Sequence, residues 1–175
     1  MVAACALLAR NAIAQSLVGF YAPHKIREPT AVLDPLFGKQ LDARAHATML
    51  AAPQDLVEFA LRATASELHF GLSHPTRLAF DAREREGNCV EYAELFASIV
   101  NREHGNVNVR AWVVRSDARI LGQTVPDPAW RDHDWVLVVA RAPEGVSRSY
   151  IDPTLYEMGL GWDIARAVHG EVPPL

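Results

Sequence analysis

Three residues of this sequence have the types and the order that covalent catalysis by a thiol requires: Cys89, His133 and Asp152. The thiolate is the reactive form of cysteine, and the unpaired N–H groups at a helix start favour negative charge there. Cys89 follows Gly87-Asn88 and opens a helix-like stretch, so its sulfur is expected at such a start. The same N–H groups would stabilise an oxyanion formed on an attacked carbonyl. A thiol nucleophile also needs a base, most often an imidazole. His133 heads a strand-like run and is the candidate, and Asp152, at the end of the next strand-like run, is the candidate acceptor that orients it. Two neighbouring antiparallel strands would set His133 and Asp152 side by side, a triad layout of helix start, strand and adjacent strand. Asp132 and Asp134 flank His133 and are rival partners for its ring.

The elements that must hold these groups are partly legible. Residues 89–103 read as a mostly buried helix: Ala93, Phe96, Ala97 and Val100 form one apolar stripe, and Tyr92, Leu95 and Ile99 an adjacent one. Strand signals follow at residues 107–115, 133–140 and 149–152, with a loop rich in Asp, Gly and Pro over 116–132. Consecutive strands with short links after a run of helices argue for an antiparallel sheet and an α+β fold. Upstream, residues 54–69 carry apolar residues at helical spacing behind Pro53, a natural first helical residue. Residues 2–18 read as helix. Residues 21–53 read as irregular, with a short helix over 41–50, because Pro23, Pro29, Pro35 and Pro53 disfavour helix at the residue before each. The expected organisation is one domain over 1–175, with a core at about 54–160 and an N-terminal helical and irregular extension over 1–53 that either covers the thiol or is scaffold.

Gly87-Asn88-Cys89-Val90-Glu91-Tyr92-Ala93, then His133-Asp134-Trp135, then Ile151-Asp152-Pro153-Thr154 resemble the transglutaminase-like superfamily of papain-fold thiol enzymes. The likeness covers roughly residues 76–160. It implies a papain-like fold, with the nucleophile-bearing helix packed on an antiparallel β-sheet, and it implies Cys89 as nucleophile, His133 as base and Asp152 as orienter. Two departures stand out: Asp134 occupies a place often held by a small residue, and no tryptophan precedes Cys89. A side-chain oxyanion donor therefore does not carry over, and Gln54 and Gln40 are the remaining candidates. Trp135, expected in the core as a wall of the site, Trp112, Asn88 and Glu91 are candidates for the substrate cleft, with Trp130 as a further aromatic at its border.

Composition narrows the function classes. The 17 basic and 21 acidic residues leave a net charge of −4, which argues against a generic nucleic-acid binder. Half the residues are hydrophobic, enough for a core, and no apolar run of about 18 residues marks a transmembrane helix. Two cysteines make no disulfide framework, and Cys5 sits in an Ala/Leu run that suits a core or a signal segment. Residues 2–14 are weakly signal-like but have no basic n-region, so cytoplasmic and exported locations both stay open. There is no closely spaced Cys/His pair to bind metal and no Gly-rich phosphate loop. The expected activity is a cysteine protease-like hydrolase or an acyltransferase that acts on peptide or glutamine amide bonds through a thioester and needs no cofactor. The expected partner is a protein or peptide substrate, with the oligomeric state open. The alternatives are a binding or scaffold module that keeps the fold without turnover, and an arylamine N-acetyltransferase-like enzyme, suggested by Cys89-Val90-Glu91.

Overall fold

The computed structural model describes residues 17–48, 50–71, 75–81, 83–103, 108–125, 131–143 and 145–175. In chain order these form β1 (Val18–Arg27), β2 (Val32–Leu33), α1 (Pro35–Thr48), α2 (Pro53–Glu67), β3 (Leu68–Phe70), β4 (Ala79–Phe80) and β5 (Arg85–Gly87). There follow α3 (Cys89–Arg102), β6 (Val109–Ile120), β7 (Gln123–Thr124), β8 (Asp132–Ala142), β9 (Gly145–Ile151), α4 (Pro153–Glu157) and β10 (Val168–His169). The architecture is mixed α+β. The main sheet runs β10-β1-β6-β8-β9, with β7 paired to β6, and it is antiparallel except for the parallel β1–β10 edge. No helix among the described residues is long and apolar enough to cross a membrane.

The centre of the sheet is apolar on both faces because both faces are covered. Val136, Val138 and Ala140 of β8, with Val109, Ala111 and Val113 of β6, pack under α1, α2 and α3. The alternate residues Trp135, Leu137 and Val139, with Val114, face a second core built by Phe20, Leu155, Ile164 and Ala167. Side chains of a strand alternate between faces, so a two-sided strand reads as a continuous apolar run, as 135–140 does. Helix α3 lies deepest: Tyr92, Leu95, Phe96, Ile99 and Val100 are fully buried. At about 1.5–3 kcal/mol per large side chain, this burial anchors the helix that begins with Cys89.

Residues 18–27 depart most from the expectation of a helix up to 18 and irregular chain beyond it. They form β1, an inner strand between β10 and β6. Pro23 has no N–H to give to a ladder. The strand accommodates it by a register shift between Tyr21 and Lys25, with Ala22 in the left-handed region at φ 47°. A helix also forms earlier than expected in the irregular stretch. Pro35 is the first residue of α1, and Asp34 Oδ1 accepts from the amides of Leu36 (2.8 Å) and Phe37 (3.4 Å). Phe37, Leu41 and Ala45 form its buried stripe. Strand β6 runs on to Ile120, into the stretch expected to be loop. Residues 2–16, with Cys5 and the signal-like segment, and Trp130 lie outside the described residues.

Candidate active site

Cys89 is the first residue of α3, and the residues beside it build the helix start. Asn88 caps the helix in an extended conformation, its Oδ1 accepting from the amides of Val90 (3.0 Å) and Glu91 (3.4 Å). Glu91 closes the box, its Oε2 accepting from the Asn88 amide at 3.1 Å. The other Glu91 oxygen accepts from the Arg77 amide at 2.9 Å and lies 3.4 Å from Arg85. Asn88 and Glu91, candidates for the cleft, are thus engaged in holding the helix start and the chain before it. The cap uses the Val90 and Glu91 amides and leaves the Cys89 amide as the helix N–H nearest the sulfur. Gly87 has no unusual backbone angle. It is needed for space, since a Cβ there would come within 3.1 Å of the Leu68 side chain.

His133 and Asp152 meet across the sheet. Ile151 pairs with Val136, so the chain leaving β9 passes Trp135 and brings Asp152 to the head of β8. The His133 Nε2–H donates to Asp152 Oδ2 at 2.8 Å. The other carboxylate oxygen accepts from the amides of Thr154 (2.9 Å) and Leu155 (3.2 Å), so Asp152 also caps α4. Asp152 is fully buried and the His133 side chain only 14% exposed. Phe20 lies against the imidazole, with ring centroids 5.0 Å apart. Cys89 borders the same cavity as this ring and lies near enough to act on its charge. Burial works against a charged His133. The negative charges of Asp152 and then of a Cys89 thiolate outweigh it, so the imidazole titrates well above its ordinary value.

The rival carboxylates are placed elsewhere. Asp134 points to the opposite face of β8, where Arg115 grips it in bidentate fashion (2.6 and 3.0 Å) and Arg27 donates at 2.9 Å. Asp132 is exposed. Trp135 is fully buried, its Nε1 donating to Ser116 Oγ at 2.9 Å and its ring against Tyr150, which makes it core. Trp112 packs against the same second core.

Cys89 and His133 open on a cavity of about 340 Å³ whose other walls include Phe20, Phe70, Thr154 and Leu155. Neither Gln40 nor Gln54 borders it. Gln54 lines a separate cavity of about 410 Å³ with Arg148 and Trp162. Phe20, packed on the imidazole, is a site residue not expected from the sequence, as are Phe70 and Leu155. The available signal for Phe20 was the β-prone run Val18-Gly19-Phe20-Tyr21. Among the described residues, no cluster of three or more His, Cys, Asp and Glu side chains is arranged to hold a metal ion. Comparison with protein-family models, with characterised proteins and with solved structures finds no match for this chain.

Proposed function

We propose that the protein is a thiol-dependent hydrolase or acyltransferase of the transglutaminase-like, papain-fold type, with Cys89 as nucleophile, His133 as general base and acid, and Asp152 as orienter. The observation that carries this reading is the placing of the imidazole: His133 bonds Asp152 at 2.8 Å and borders one cavity with Cys89, which stands at a helix start. The packing of α3 on an antiparallel sheet also suits that fold type.

In the reaction, the Cys89 sulfur attacks a carbonyl carbon of an amide or ester, and the oxyanion is held by the Cys89 N–H at the positive end of α3. Collapse of the adduct breaks the C–N or C–O bond. The leaving amine or alcohol takes a proton from the His133 imidazolium, and a thioester remains. Water or an amine then attacks the thioester and gives its proton to His133. The sulfur departs as thiolate, restoring the ion pair and releasing an acid or a new amide. Asp152, held by two amides of α4, keeps the ring from turning throughout. Trapping tests the reading. An activated acyl ester, quenched in acid after seconds, should add one acyl mass to the wild-type protein on the peptide containing Cys89, and none to Cys89→Ala. An equal adduct on both proteins, or none on either, overturns it and leaves a binding module as the reading.

A further inference from the structure

We propose that the cavity beside Cys89 holds a straight aliphatic acyl chain, so that the group carried on sulfur is a medium-length fatty acyl group in place of a polar peptide or glutamine side chain. This rests on Cys89 being the nucleophile. The described walls, apart from Cys89, His133 and Thr154, are apolar: Leu, Val, Ile, Phe and Met side chains from the start of β1, the end of β3, the end of β6 and the turn and strand after it, and the α4 region. The rim is apolar too. Leu17, Ile120, Leu121 and Met158 are 38%, 45%, 68% and 44% exposed, and they gather at this one opening. Exposed apolar residues clustered round a cavity mark a binding surface more than scattered ones do. A primary amide or a peptide backbone in such a space would lose its hydrogen bonds to water and regain almost none.

One wall group is polar and waiting. Thr154 is 2% exposed and borders the cavity, and its buried Oγ1 has no hydrogen-bond partner among the described residues. It adjoins Asp152, at the catalytic end of the space, where the carbonyl of an acyl group and not its tail would lie. A volume of about 340 Å³ is at the small end of ligand sites, about 300–1,000 Å³, and suits one chain better than a branched lipid.

The test uses the full chain and 4-nitrophenyl esters from acetyl to decanoyl, with the rate of Cys89→Ala subtracted. The Cys89-dependent kcat/KM should rise about threefold to fourfold per added methylene, then level off when the cavity is full. Met158→Trp, which narrows the mouth, should lower the ratio of decanoyl to acetyl turnover at least tenfold. That ratio, taken within one variant, does not depend on how much protein is folded. Thr154→Val should slow every chain length by a common factor. Cys89-dependent turnover that is flat with chain length, or that follows the length of the leaving alcohol in a matched acetyl series, overturns the acyl-chain assignment while leaving the thiol chemistry standing. No Cys89-dependent turnover of any ester, together with a Cys89 inert to haloacetamide, removes the thiol chemistry and the assignment with it.

Discussion

Two fully buried aspartates, Asp134 on β8 and Asp152 just beyond β9, are partnered in opposite ways. Asp134 lies between Arg27 and Arg115, and Arg27 also pairs with the buried Glu94. Glu94 in turn accepts from the amides of Thr30 (2.6 Å) and Ala31 (3.0 Å), tying the segment after β1 to α3. Guanidinium groups stay charged at any ordinary pH, so this cluster is permanently paired. Asp152 faces an imidazole, which gains and loses a proton. The first cluster therefore serves to fix the sheet and α3. The second keeps a charge that can move. The difference shows why a buried carboxylate alone is a poor sign of chemistry: its partner decides.

The largest expected effect falls on the second cluster. In Asp152→Asn the side-chain oxygen still caps α4, but its NH₂ faces the His133 Nε2–H, and the ring must adopt the wrong tautomer. Turnover per folded molecule should fall by about 10²–10⁴-fold, far beyond what any loss of stability explains, read by ester hydrolysis with the folded fraction taken from thermal unfolding of the same sample. Asp134→Asn should do the reverse. It leaves two guanidiniums facing a neutral group, and because these are 22% and 30% exposed the cost should be about 2–3 kcal/mol in denaturant unfolding. The chemistry per folded molecule should hold.

The pH dependence separates the two clusters further. His133 has a folded-state pKa well above its ordinary 6.5, so its charged-form contacts stabilise the fold fully below that value. They fade as pH rises through the higher folded value. The stability gap between wild type and Asp152→Asn should therefore shrink between about pH 6.5 and alkaline pH. The gap for Asp134→Asn should stay level across that range, since its arginines do not titrate. Unfolding curves at several pH values decide this. The smallest effect is expected at Gly87→Ala, where the new methyl presses Leu68 and costs about 1 kcal/mol of stability, with α3 and Cys89 held in place by the cap.

Much of the candidate site was legible because its residues sit on elements with strong local patterns. Cys89 opens a helix with two apolar stripes, and His133 and Asp152 bound strands that read clearly. What stayed hidden depended on partners distant in sequence. Phe20 reaches His133 only because β1 enters the sheet beside β6, and the bulge at Ala22-Pro23 erased the strand signal. Pro35 read as a breaker, although after Asp34 it begins a helix just as Pro53 does after Ala52. Glu91 and Asn88 looked free for substrate because a capping box looks the same in sequence as a polar cleft edge. Trp135 shares a face with His133, and nothing local says that Ser116 and Tyr150 enclose it.

The most direct test of the account is the pH dependence of Cys89 alkylation by iodoacetamide, followed by peptide mass spectrometry with Cys5 as internal reference, in wild type and His133→Ala. An ordinary thiol loses reactivity as pH falls below about 8.5. Paired with a His133 imidazolium, Cys89 should still react rapidly at about pH 6, and His133→Ala should remove that advantage while leaving Cys5 unchanged. A Cys89 that tracks Cys5 across the whole pH range, or that His133→Ala does not alter, would contradict the account.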